Sequence, residues 1–141
     1  MKNLTDKVVI VTGGAAGIGG AITTVLSQRG ACVVAVDIDE KAGEKKVSEN
    51  PDKIAFLKGD ISKESVAKEA VDIAVSKFGK LTGLVNNAHP SVEKSILEHT
   101  DEDWALSING GFYATLYFMK AAYPELKKLK DLLLTLVLAQ Q

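Results

Sequence analysis

The fold is decided by residues 7–19, Lys7-Val8-Val9-Ile10-Val11-Thr12-Gly13-Gly14-Ala15-Ala16-Gly17-Ile18-Gly19. Lys7 to Thr12 is a short β-branched run and reads as a buried strand. The glycine spacing GxxxGxG comes next, and apolar residues then recur at Ile18, Ala21, Ile22, Val25 and Leu26, which is helical spacing. Arg29 ends that helix and Gly30 stops it. Small residues between a strand and a helix let the backbone turn sharply and approach a pyrophosphate closely. The helix start adds unpaired N–H groups and the positive end of its dipole. A generic glycine turn has the same spacing, so the surrounding chain must discriminate.

The next strand, Ala31 to Val36, ends at Asp37, 18 residues after Gly19. An acid there can accept hydrogen bonds from both hydroxyls of an adenosine ribose, and it repels a 2′-phosphate. No Arg or Lys stands at Gly14 to Ala16 or at Ile38 to offset that repulsion. The reading is therefore NAD over NADP. Taken alone, Asp37 could equally be a solvated acid at a strand end.

Further along, strand-like and helix-like segments alternate. Glu40 to Asn50 is a polar helix, Lys53 to Leu57 a strand, and Ser62 to Phe78 a helix with Val66, Ala70, Ile73 and Ala74 on one face. Leu84 to Asn86 lies in a fourth strand. Thr100-Asp101-Glu102-Asp103 opens a long helix running towards Pro124 and Lys130, and Leu132 to Leu138 reads as a fifth strand. Strands joined by such helices imply right-handed βαβ units. The expected fold is an open, doubly wound parallel α/β sheet, Rossmann-like, with about five strands, in one domain over residues 1–141.

Composition narrows the function. Lys plus Arg is 17 and Asp plus Glu is 18, a formal net charge of −1 over 141 residues. That leaves no global basic field for nucleic acid or an anionic membrane. The apolar run from Leu132 to Ala139, interrupted by Thr135, is far shorter than the roughly 20 residues of a membrane helix. Met1 to Asp6 has no signal-peptide core. The lone Cys32 cannot form an internal disulfide, which fits a reducing compartment such as the cytoplasm. His89 and His99 lack partner carboxylates at metal-ligand spacing, so no metal site is expected.

Three more segments, Gly59-Asp60-Ile61, Asn86-Asn87-Ala88 and Ser107-Ile108-Asn109-Gly110, stand in order behind the glycine turn. Together they resemble the short-chain dehydrogenase/reductase family from Lys7 to about Lys130. The resemblance implies hydride transfer between a nicotinamide cofactor and a carbonyl or secondary alcohol. It implies that Gly13, Gly17, Ile18 and Gly19 line the pyrophosphate and that Asp37 holds the adenosine ribose. Asp60 would face the adenine amino group beside the Ile61 backbone, and Asn87 and Ala88 would lie along the nicotinamide-side ribose. Asn86 would tie the fourth strand to its neighbours. Asn109 matches the family's catalytic asparagine, which interrupts its helix and holds a water in the proton relay. Each has a plainer alternative: Asp60 a helix cap, Asn86 and Asn87 turn residues, Asn109 a helix kink. A full-length relative would be a homo-oligomer.

The sequence departs from the family in two places. The family usually continues Asn-Asn-Ala with Gly, whereas here His89-Pro90 comes next. His89 invites a catalytic role, against which stands a loop histidine packing on the cofactor cleft. The family also supplies a Tyr and Lys spaced YxxxK and a Ser on the fifth strand, roughly 28 residues after the asparagine. Counting from Asn109 reaches Val137, with no serine there. Tyr123-Pro124-Glu125-Leu126-Lys127 has the YxxxK spacing but comes before the fifth strand, and Pro124 interrupts its backbone bonding. An inactive, truncated reductase is therefore expected, with a non-catalytic dinucleotide-binding or interaction module as the alternative.

The last residues suggest how such a chain could arise. One codon choice for Asp131 to Leu138, entered one base earlier from a Lys130 codon ending in G, reads G-S-I-I-N-I-S-S. The family's fifth strand resembles G-x-I-V-N-I-S-S. A single-base slip near Leu129 in a gene for roughly 250 residues accounts for this. The alternative is a genuine Leu-rich fifth strand in a short natural variant. The expected sheet is incomplete at its C-terminal edge, which leaves Leu132 to Leu138 as an exposed apolar edge prone to association.

Overall fold

The computed structural model describes residues 3–129 and the backbone pairing of Thr135 and Leu136. Among the described residues five parallel strands form one sheet: β1 Val8–Thr12, β2 Cys32–Asp37, β3 Ile54–Lys58, β4 Gly83–Asn86 and β5 Thr135–Leu136. Their spatial order is β3-β2-β1-β4-β5. The order reverses at β1, between β2 and β4, so β1 marks the point where ligands bind beyond the carboxyl ends of strands. The rest of the expected fifth strand, Leu132 to Leu138, lies outside the described residues.

Both faces of the sheet are covered. Val8, Ile10, Val34 and Val36 pack with α3 (Glu64–Phe78) and α5 (Ala114–Leu126) through Ala67, Ala70, Ala74, Phe118 and Ala122. Val9, Val11 and Val33 pack on the other face with Ile22 and Leu26 of α1 (Gly17–Gln28). Alternate strand residues thus serve opposite layers, which is why the strands read as unbroken apolar runs. The polar helix α2 (Glu40–Glu49) seats its buried Gly43 on the Phe56 ring of β3.

Two sequence expectations are corrected. The helix expected from Ser62 begins at Glu64, because the Ser62 N–H donates to Asp60 Oδ1 at 2.9 Å and closes a turn first. The long helix after Thr100 is three pieces: α4 (Asp101–Ser107), a π-helical segment (Ile108–Tyr113) and α5. Gly110 and Gly111 lie in the middle piece, where helix propensity is lowest. A 3₁₀ turn at Ile96–Glu98, not anticipated, precedes α4 and carries its own capping box from Ser95 and Glu98. The Thr100 box is as read: Thr100 Oγ1 accepts from the Asp103 N–H, and Asp103 Oδ2 accepts from the Thr100 N–H. No helix among the described residues is long and apolar enough to cross a membrane.

Candidate functional site

At the carboxyl ends of β1 to β4 lies an open cleft of about 920 Å³. Gly13, Gly17, Ile18, Asp37, Asp60, Ile61, Asn87, Ala88 and Asn109, singled out far apart in the sequence, all line it. Gly19 is buried behind that wall.

The first turn is shaped by close approach. A Cβ on Gly19 would stand 2.1 Å from Gly13 O and 2.5 Å from Asn87 Nδ2, distances no side chain tolerates. Gly13 has φ of 63°, in the region glycine adopts without strain. The Gly13 N–H donates to Val36 O at 2.8 Å, which holds the turn against β2. Ala16, the first residue before α1, offers no side-chain cap, and the first turn of α1 holds no acid. Its orphan N–H groups and the positive end of its dipole therefore have no side-chain partner at Ala16. By contrast, α2 is capped by Asp39, whose side chain accepts from the Ala42 N–H.

Asp37 does more than end its strand. Its Oδ2 accepts from the Ala15 N–H and its Oδ1 from the Asp39 N–H, each at 3.2 Å. The acid thereby couples the glycine turn to the end of β2. Asp60 lies just past the end of the neighbouring β3, where the Gly59 N–H donates to Asp37 O at 2.9 Å, and the Ser62 N–H holds the Asp60 carboxyl below the usual range. It does not cap α3, whose N-cap position is Lys63 with no side-chain bond.

Thr12 was missed in the sequence. Its buried Oγ1 accepts from the N–H groups of both Asn87, at 3.0 Å, and Ala88, at 3.1 Å. Asn87 Nδ2 returns a bond to Thr12 O at 3.1 Å. A threonine at a strand end carries no signal of this role, because its partners lie 75 residues away. Asn87 Oδ1 is buried and has no partner among the described residues. An unsatisfied buried acceptor is costly unless a ligand supplies a donor. Asn86 Nδ2 likewise has no partner among the described residues, and the backbone of Asn86 registers with Leu136 of β5.

The sequence also gave no reason to place Lys45 and Lys46 near the turn. Helix α2 sets both beside Ala15 and Ala16 in a cavity of about 250 Å³. Lys46 Nζ is tied to Glu49 Oε1 at 2.8 Å and Thr24 Oγ1 at 3.0 Å.

Asn109 lies on the opposite wall, in the π-helical segment. His89 and His99 also line the cleft. The His89 ring lies against Gly111. The His99 ring lies 5.0 Å from the Trp104 ring, tilted by 33°, and its Nδ1 is 2.9 Å from Ser95 O. Tyr123 and Lys127 do not line the cleft; Lys127 Nζ sits 6.0 Å from the centre of the Tyr123 ring.

Comparison with known proteins agrees with this fold. The family model described as short chain dehydrogenase matches residues 7–131. The chain is 34% identical over 127 residues to a CLA biosynthesis dehydrogenase/reductase of Lactiplantibacillus plantarum, covering 88% of this chain and 44% of that protein. It is 36% identical over 123 residues to a 2,5-dichloro-2,5-cyclohexadiene-1,4-diol dehydrogenase of Sphingobium indicum, covering 83% and 49%. Among solved structures, a short-chain dehydrogenase/reductase of the glucose/ribitol dehydrogenase type from Brucella melitensis superimposes with a TM-score of 0.84. That pair is 30% identical and covers 89% of this chain and 55% of the other. The chain belongs to the short-chain dehydrogenase/reductase family, whose members are oxidoreductases using nicotinamide dinucleotides. It spans about half the length of these relatives.

Proposed function

We propose that these 141 residues form the NAD-binding part of a reductase or alcohol dehydrogenase and bind the dinucleotide without turning it over by themselves. The observation that carries the reading is the seam between β1 and β4. There Gly13, Gly19 and Asn87 meet too closely for any side chain, and Asn87 Oδ1, beside the cleft, has no partner among the described residues. The glycine turn and the uncapped α1 would take the pyrophosphate, Asp37 the adenosine ribose, and Asp60 with Ile61 the adenine. Asn87 and Ala88 would take the second ribose, with Asn109 beyond them on the opposite wall. NAD is favoured over NADP because Asp37 stands at the ribose position and the Lys46 charge is engaged by Glu49.

Bound nicotinamide supplies or accepts the hydride. The residues of this chain orient the dinucleotide, and Asn109 would hold a water for proton transfer with a carbonyl or secondary alcohol substrate. Within these residues no serine comes after Ser107, and the single YxxxK lies away from the cleft. Loss of general acid/base help alone costs roughly 10²–10⁴-fold in rate. A longer parent chain would carry those groups, act in the cytoplasm and assemble as a homo-oligomer. The alternative, a dinucleotide-binding module with no catalytic parent, rests on the same cleft.

NADH fluorescence titration tests the reading. Saturable binding of NADH, with weaker NADPH binding and no turnover of carbonyl substrates, is expected. Absence of saturation at millimolar NADH would overturn it, and measurable turnover would overturn the proposed inactivity.

A further inference from the structure

We infer that His89 and Pro90 are positioning residues: seated on Gly110 and Gly111, they hold the π-helical register that presents Asn109 to the cleft. The inference rests on the proposed role of the cleft and adds the device that sets its far wall.

The first observation is the register itself. The Ala114 N–H donates to Asn109 O, five residues back, and is shared with Gly111 O. One extra residue in a helical turn rotates the helix on its N-terminal side by about 100° relative to the helix on its C-terminal side. In this register α5 buries Phe118, Ala122 and Leu126 against the sheet while Asn109 lines the cleft. A continuous α-helix through this segment could not keep both faces in place. Short π segments are costly relative to α-helix and persist where neighbours hold them.

The second observation is the packing that holds this segment. A Cβ on Gly110 would stand 2.3 Å from Pro90 Cγ, and a Cβ on Gly111 would stand 2.8 Å from His89 Cδ2 and 2.9 Å from its Nε2. Both glycines are buried, whereas His89 is exposed, so the loop after β4 closes over the segment from outside. Ala88, just before that loop, donates its N–H to Thr12, which anchors the loop to β1. Asn109 is thus referenced to the sheet through His89-Pro90 as well as along its own helix.

The test reads Asn109 directly. In ¹⁵N-labelled full chain, the Asn109 side-chain amide signals are assigned by their loss in Asn109→Asp. Gly111→Ala is expected to shift them, because the new methyl displaces the His89 ring. The double variant His89→Ala/Gly111→Ala is expected to return them towards their original position. Should Gly111→Ala fail to fold, His89→Ala and Pro90→Ala serve instead, each expected to shift or broaden the same signals with far-ultraviolet circular dichroism unchanged. Unmoved Asn109 signals in the folded variants, or no return in the double variant, would overturn the inference. NADH titration of the unaltered chain runs beside these measurements. Its failure would count against the dinucleotide reading, while the Asn109 signals would still decide the role of His89 and Pro90.

Discussion

At the ends of β1, β2 and β3 the cleft wall is mostly backbone: the Gly13 turn, the uncapped start of α1, and carboxylates fastened to nearby N–H groups. At the end of β4 and along the π-helical segment the wall is made by side chains and loops that meet from distant parts of the chain. The first half depends on local turn chemistry and tolerates few residues. The second depends on packing, and its parts can be exchanged in compensating pairs. Binding strength should therefore track the first half, and the placing of Asn109 the second.

The largest effect is expected at Gly19. Gly19→Ala drives a methyl into Gly13 O and Asn87 Nδ2, the point where the two halves touch. Overpacking of this kind costs about 1–3 kcal/mol, and saturable NADH binding should be lost with it. Urea unfolding and fluorescence titration measure the two effects, and a variant that binds as well as the unaltered chain would break the comparison.

Two threonines separate anchoring from binding. Thr82 Oγ1 accepts from the Val8 N–H at 2.8 Å and donates to Val8 O at 3.0 Å, at the end of the β1/β4 seam away from the cleft. Thr12 Oγ1 accepts from two N–H groups at the cleft end. Stranding buried partners costs about 1–3 kcal/mol, so Thr12→Val and Thr82→Val should both lower the urea midpoint. Only Thr12→Val should also weaken NADH binding.

Asp37→Asn sharpens the contrast on the backbone side. Losing a charged acceptor for two hydroxyls should weaken NADH binding by roughly tenfold and narrow its advantage over NADPH. Paired titrations with the two cofactors measure the ratio. An unchanged ratio would leave Asp37 only its structural bonds to Ala15 and Asp39.

The smallest effect belongs to the loop before α4. Lys94 Nζ, 2.7 Å from Asp103 Oδ2, together with the Thr100 N–H, holds the Asp103 carboxyl at about 2, below its ordinary 3.8. A depressed carboxyl stabilises the folded form above the ordinary value, and that contribution is lost as pH falls from 3.8 towards 2. Trp104, the single tryptophan, adjoins Asp103 and should report the change in fluorescence over that interval. Asp103→Asn should abolish this component.

Legibility in the sequence divided along the same line. The glycine turn, Asp37 and the strand runs were readable because their physics is local: backbone conformation, helix dipole and side-chain periodicity act within a few residues. The strand order placing β1 between β2 and β4 was not readable that way, and neither was the Thr12 clamp, since its partners are remote in sequence. The helix after Thr100 shows the boundary within one element. Its start was written in Thr100 and Asp103, which bond each other. Its π-helical middle was not, because Gly110 and Gly111 permit several registers.

By itself the sequence determined a doubly wound parallel sheet, a glycine turn after the first strand with an acid ending the second, and the family. Tertiary structure alone decided that His89 and Pro90 lie on Gly110 and Gly111, that Lys46 of α2 reaches Thr24 of α1, and that Tyr123 and Lys127 lie away from the cleft. Local signals set dihedral angles and which faces are buried. Contacts between remote residues depend on how whole layers pack, and no short stretch of sequence carries that information.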